Sequence, residues 1–224
     1  MSAVYDCQQL DSRAEGLAAA QRTLRTGRLA VIPTDTLYGI AADAFDSAAV
    51  AALLAAKHRG RDMPVPVLVG SWHTIDGLVF SVRPQARELI RAFWPGALSL
   101  VVQQAPSLTW DLGDTRGTVM LRMPLHPVAI ELLREVGPLA VSSANVSGSP
   151  PARTAAEAQA QLGESVSVYL DGGPAEQAVA STIVDLTADA PRILREGAVP
   201  AAAIAEVLGI TAESLLETGT GASA

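Results

Sequence analysis

Several short clusters of polar residues in this sequence could act on a small charged ligand. The first is Pro33-Thr34-Asp35-Thr36-Leu37-Tyr38-Gly39, where two hydroxyls and a phenol can hold a polar substrate. The same run also reads as an ordinary turn with threonine capping. Lys57-His58-Arg59-Gly60-Arg61 sets cations two residues apart, so that Lys57 and Arg59 could both reach one polyphosphate. Cations that only complement a helix C-terminus are the plain alternative. Arg122, in Arg122-Met123-Pro124, could pair with a substrate carboxylate or simply end a strand. In Ser142-Ser143-Ala144-Asn145-Val146-Ser147-Gly148, small residues would let backbone amides approach a phosphate as a nest does. That run lacks the GxxxxGK[ST] pattern of a Walker loop, and polar turns of this composition are common. Ser181-Thr182 and Arg195-Glu196-Gly197 complete the set, and each also reads as a strand flank.

Other chemistries find less support. His58, His73 and His126 are scattered without metal-ligand spacing, so no zinc site is expected. Cys7 is the one cysteine, so no intrachain disulfide can form, which fits a reducing cytoplasm. No base lies near Cys7 in the sequence, and a nucleophilic role is not expected. Trp72, Trp94 and Trp110 do not alternate with basic residues, as a single-strand stacking platform would require. Sixteen basic against 23 acidic residues give a net charge of −7, which opposes long-range attraction to nucleic acid or an anionic membrane. An anionic ligand would need a local cluster of cations. The N-terminal residues carry early acids and no apolar core of a secretory signal, and no apolar run is long enough to span a bilayer.

The elements that would position these clusters alternate along the chain. Helices are expected over 11–26, 46–57, 84–94, 126–136, 154–162 and 200–208, with Asp46 or Ser47 and Thr154 as caps and Pro84 in a first turn. Strands are expected over 28–32, 65–69, 98–103, 118–122, 139–142, 166–170, 182–186 and 192–194. Some neighbouring strands lack an intervening helix, so the expected fold is α/β with a mixed sheet and flanking helices. In an open sheet of this kind, ligands collect in the crevice at strand ends. One domain is expected over 1–210, followed by a flexible tail over 211–224 rich in Gly, Thr and Ala.

Taken in order, PTDTLYG, KHR, LRMP, SSANVSG, STIVDL and LREG closely resemble the YrdC-like family of threonylcarbamoyl-AMP synthases, from about residue 12 to residue 208. The resemblance implies a twisted sheet around a concave basic cavity, and condensation of L-threonine, bicarbonate and ATP to an adenylate. It implies ATP contacts from Lys57, Arg59, Thr118, Ser143, Asn145 and Arg195, with Lys57 and Arg59 at the phosphates. Threonine contacts would come from Thr34, Thr36, Tyr38, Arg122 and Ser181. Mg²⁺ would accompany the nucleotide, with no metal held by the protein. The product would pass to a tRNA threonylcarbamoyl transferase complex. Two alternatives share the resemblance: weak binding of double-stranded RNA or tRNA, and a paralogue that adenylates a carbamoyl group. The sequence departs from many relatives at Gly60, where they carry Pro, and at Leu68, near the place of a histidine.

Overall fold

The computed structural model describes residues 2–175 and 179–216. Among them ten strands join one mixed sheet: β1 (Ala3–Asp6), β2 (Ala30–Ile32), β3 (Gly39–Asp43), β4 (Val67–Leu68), β5 (Leu98–Gln103), β6 (Thr118–Arg122), β7 (Leu139–Ser143), β8 (Val168–Asp171), β9 (Thr182–Asp185) and β10 (Arg192–Arg195). Their spatial order is β1-β8-β2-β3-β7-β4-β6-β5-β9-β10. The β1–β8, β2–β8, β4–β6 and β5–β9 pairs are parallel, and the other five are antiparallel. Seven α-helices flank the sheet: α1 (Leu10–Arg25), α2 (Ser47–Ala56), α3 (Pro84–Phe93), α4 (Pro127–Val136), α5 (Ala155–Leu162), α6 (Ala201–Leu208) and α7 (Ala212–Leu216).

Because side chains alternate across a strand, each strand serves two cores. On one face Ala30, Ile32, Ala41, Leu139 and Leu170 pack against Leu17, Ala20 and Leu24 of α1 and Leu132 of α4. On the other, Val31, Ile40, Val67, Leu100, Leu121 and Val184 pack beneath α2, α3, α5 and α6, through side chains such as Leu53, Leu89, Ala158 and Ile204. Both faces are apolar, so the central strands read as continuous hydrophobic runs.

Helix ends follow local chemistry. Asp46 caps α2, its carboxylate accepting from the amides of Ala48 (2.9 Å) and Ala49 (3.1 Å). Thr154 caps α5 by accepting from the Glu157 amide, and the Glu157 carboxylate reaches back to the Arg153 amide at 2.7 Å. Pro84 opens α3, and Pro127 opens α4 after His126. Two strands were not expected. β1 is a half-exposed edge strand, and β3, GIAAD, is rich in alanine, a residue depleted in strands. The expected tail over 211–224 is corrected in part: 212–216 form α7, with Leu215 fully buried. Residues 217–224 lie outside the described residues.

Candidate active site

The helices α1 and α4 cover only part of their face of the sheet. On the uncovered remainder lies a cavity of about 380 Å³. Its floor takes every second residue from adjacent strands: Pro66 and Leu68, Met120 and Arg122, Val141 and Ser143, Ser181 and Ile183, with Ser99 of β5. Arg59 and Arg195 stand at its walls, and among the described residues no carboxylate lines it. The cavity therefore lies on the open sheet face and gathers strand ends there, since Leu68, Arg122, Ser143 and Arg195 end β4, β6, β7 and β10, and Ser181 precedes β9.

Arg122 ends β6 with its side chain buried. Its Nε donates to the Gly96 carbonyl at 2.9 Å, one terminal nitrogen donates to the Thr36 hydroxyl at 2.9 Å, and the other pairs with Asp35. Asp35 also accepts from the Leu125 amide at 2.9 Å. These contacts use three of the five guanidinium N–H groups and leave two for a ligand. Burial lowers the Arg122 pKa, while Asp35 opposes that shift. Thr34 ties the turn together: its hydroxyl meets the Thr36 hydroxyl at 3.1 Å and donates to the Leu37 carbonyl at 2.6 Å. The Tyr38 phenol donates toward Asp171 (3.1 Å) and the Gly173 carbonyl (2.5 Å), and accepts from the Gly172 amide (3.0 Å). Tyr38 borders the cavity, its side chain is buried in the core with Val31 and Ile40, and its hydroxyl anchors the 171–173 turn.

Across the cavity, the Ser181 and Ser99 hydroxyls meet at 2.9 Å. Arg195 donates to the Ser181 carbonyl at 2.8 and 3.2 Å. This approach needs Gly197, because a Cβ there would sit 2.2 Å from the Ala180 carbonyl oxygen and 2.7 Å from the Ser181 carbonyl carbon.

Lys57, His58 and Arg59 form the end of α2. The His58 amide bonds to the Ala55 carbonyl and the Arg59 amide to the Leu54 carbonyl, both at 3.0 Å. With His58 left-handed at φ 53°, this is a Schellman closure. The left-handed turn sends the two cations in different directions. Arg59 faces the cavity, donating to the Ser142 hydroxyl at 3.1 Å and the Pro64 carbonyl at 3.2 Å, with its Nε buried and unpartnered. Lys57 is only 2% exposed and lies beneath the 142–148 loop. Its ammonium donates to the Ser143 and Asn145 carbonyls, the latter at 2.7 Å. The expectation that both cations reach one polyphosphate is thus not met by the geometry around Lys57. Arg61, the third cation of that run, forms an exposed fork to Asp111 at 2.7 and 2.9 Å.

The expected amide nest is also corrected. The amides of Ala144, Asn145, Ser147 and Ser149 bond to the carbonyls of Tyr38, Ser143, Lys57 and Val146, and the Val146 amide to the Gln161 side chain. The loop presents its hydroxyls instead, with Ser142 and Ser143 in the cavity wall. Asn145 lines the wall too, yet its amide nitrogen serves the loop, donating to the Val146 and Ser149 carbonyls.

One cavity thus gathers Thr34, Thr36, Tyr38, Arg59, Arg122, Ser143, Asn145, Ser181 and Arg195. Lys57 supports it from beneath. Thr118 is not brought in: it begins β6, four residues and roughly 13 Å before Arg122, and its hydroxyl bonds to the Thr115 carbonyl at 2.7 Å. Sequence reasoning missed Ser99, the partnership of Asp35 with Arg122, and the 171–173 turn that holds Tyr38. The Asp-Gly-Gly at 171–173 was a readable turn signal after a strand. Leu68 does lie in the floor, opposite Arg122 in the β4–β6 pairing. Among the described residues, no three His, Cys, Asp or Glu side chains gather as a metal site, and no helix is long and apolar enough to cross a membrane.

Comparison with known proteins points one way. The profile of the Sua5/YciO/YrdC family, described as "Telomere recombination", matches residues 22–197. A Mycobacterium leprae protein provisionally named threonylcarbamoyl-AMP synthase is 69% identical over 216 residues, covering 96% of this chain and 98% of that one. The threonylcarbamoyl-AMP synthase of Bacillus subtilis is 34% identical over 203 residues, 90% of this chain and 59% of its own. Among solved structures, the Pyrococcus abyssi Sua5 complex with L-threonine superposes with a TM-score of 0.83 at 33% identity, over 86% of this chain and 57% of that one. This chain therefore spans about the length of the mycobacterial relative, but little more than half of the Bacillus and Pyrococcus proteins.

Proposed function

This chain belongs to the Sua5/YciO/YrdC family, and from that premise we propose that it is a threonylcarbamoyl-AMP synthase, a nucleotidyltransferase acting on L-threonine, bicarbonate and ATP. One observation carries the reading for this molecule. A single cavity joins a buried arginine, two of whose N–H groups have no acceptor among the described residues, to a wall that holds two further arginines and, among the same residues, no carboxylate.

Arg122 clamps the threonine α-carboxylate, its fork already oriented by Asp35, Thr36 and Gly96. The Thr36 hydroxyl at the fork and the Ser99 and Ser181 hydroxyls in the same cavity receive the amine and side-chain hydroxyl. The deprotonated amine attacks bicarbonate carbon, and loss of water leaves a carbamate. A carbamate oxygen then attacks the α-phosphorus of ATP. The bond from α-phosphorus to the bridging oxygen breaks, and pyrophosphate departs with the electron pair. Negative charge on the phosphoryl oxygens meets Arg59 and Arg195, fixed by Ser142, Pro64 and Ser181, so positioning and electrostatics supply the catalysis. No protein nucleophile is required. Magnesium would arrive bound to the nucleotide's phosphates. Transfer of the product to tRNA by a separate transferase complex, in the cytoplasm, belongs to the same proposal.

The test follows pyrophosphate release with ATP, Mg²⁺ and bicarbonate, with and without L-threonine. Threonine-dependent release, lost in Arg59→Ala, supports the proposal. Folded protein that binds ATP but releases no pyrophosphate contradicts it, and salt-dependent RNA binding without turnover would favour an RNA-binding role instead.

A further inference from the structure

Lys57 is the only lysine in the 224 residues, in a chain that otherwise carries arginine for every cation. It is also the most deeply buried of them at 2% exposed, and among the described residues no carboxylate pairs with it. Arginine and lysine differ in shape: a guanidinium is a planar fork, whereas an ammonium points three N–H groups tetrahedrally from one atom. At Lys57 those groups converge on the loop above. The ammonium reaches the Ser143 carbonyl and the Asn145 carbonyl, with the Ser143 hydroxyl and Asn145 side-chain oxygen each at 3.4 Å. The backbone adds a third tether, as the Ser147 amide donates to the Lys57 carbonyl at 2.9 Å. Lys57 therefore ties the loop to the end of α2 through both its side chain and its backbone, and Arg59 adds a bond to the Ser142 hydroxyl. Two of its three N–H groups serve those carbonyls, the third is near only the two side-chain oxygens at 3.4 Å, and Lys57 does not line the cavity.

We infer that Lys57 is a positioning residue, which fixes Ser143 and Asn145 from beneath the loop and makes no contact with the nucleotide's phosphates. The inference rests on the nucleotide reading of the cavity and assigns phosphate contact to Arg59 and Arg195 alone. Burial and the neighbouring Arg59 charge lower the Lys57 pKa to about 8, in keeping with an amine that no anion faces.

The two roles separate by how the loss depends on the number of phosphates. AMP, ADP and ATP are titrated calorimetrically into the wild type, Lys57→Met and Arg59→Met. A positioning role predicts that Lys57→Met weakens all three nucleotides by a common factor, roughly tenfold or more, leaving the ATP-to-AMP ratio within about twofold. Arg59→Met should remove about tenfold from that ratio. Lys57→Arg should not rescue, whereas a phosphate ligand would be replaceable by arginine. Should the Lys57 variants fail to fold, the wild type still answers. Labelled with lysine carrying ¹³C at the ε-carbon, it gives one side-chain signal, which AMP and ATP should displace equally. A ratio that falls in Lys57→Met as in Arg59→Met, rescue by Lys57→Arg, or a displacement that grows with each phosphate would overturn the inference. Failure of the folded wild type to bind any of the three would instead remove the nucleotide reading itself, and the inference with it.

Discussion

Replacing Arg122 with methionine separates stability from binding, because this side chain serves both. Its partner Asp35 keeps only 15% of its side chain exposed, and Arg122 itself only 8%. Removing one member of a buried pair costs about 3–5 kcal/mol, since the remaining charge is left uncompensated. Asp35 retains its bond from the Leu125 amide and some solvent, which places the cost near the lower end, about 3 kcal/mol. Domains of this kind are stable by roughly 5–15 kcal/mol, so the variant remains folded at low temperature. Adding Asp35→Asn removes the stranded carboxylate and should return about 2 kcal/mol. Threonine binding should not return, because the clamp is gone in both variants. Urea unfolding followed by tryptophan fluorescence gives the first quantity, and calorimetry with L-threonine gives the second. An Arg122→Met cost below about 1 kcal/mol, or a double variant no more stable than the single one, would refute the stability argument. Wild-type threonine affinity in either variant would refute the clamp.

Three further outcomes follow from local geometry. His58 holds a left-handed conformation that disfavours a Cβ, so His58→Gly should raise stability by about 1 kcal/mol, read from the urea midpoint, and no gain would mean that the turn is unstrained. Leu68 faces the substrate side of the cavity beside Arg122, where it can hold the methyl of threonine. Leu68→Ala should therefore lower the preference for threonine over serine by roughly fourfold, a methyl being worth about 0.8 kcal/mol, whereas an unchanged ratio in competition assays would place the methyl elsewhere. Burial pushes the Cys7 thiol up from 9.0 to about 11, a folded value above the unfolded one. Its contribution is thus fully present below pH 9 and lost as pH rises through about 11. The stability difference between wild type and Cys7→Ala should shrink by on the order of 1–2 kcal/mol across that window, and a flat difference would contradict the shift.

Much of this arrangement was legible in the residues. The runs over 98–103 and 118–122 are strands with those bounds, and Asp46 and Thr154 cap the helices they precede. Their signals are local: β-branched runs, and a side-chain oxygen one step before a helix. What failed to read out was set by distant partners or by backbone handedness. A spacing of two between Lys57 and Arg59 suggests a shared ligand, yet the left-handed residue between them turns one beneath the loop and the other over the cavity. Nothing marks His58 as left-handed, since the position lacks glycine. The 142–148 loop has the composition of a nest, but the amides of Ala144, Ser147 and Val146 are spent on Tyr38, Lys57 and Gln161, residues remote in sequence. Thr118 shares a face with Arg122 by alternation, and only the extent of the cavity along the strand leaves it out.

The central claim is that this cavity joins threonine, bicarbonate and an adenylyl group in one product, and isotope tracing tests it most directly. Purified protein is incubated with ATP, Mg²⁺, L-threonine and ¹³C-bicarbonate, and the AMP adducts are resolved by mass spectrometry. The account predicts a threonine-dependent adenylate that is one mass unit heavier than the product from unlabelled bicarbonate. An adenylate of unchanged mass, or one formed equally well without threonine, would contradict it.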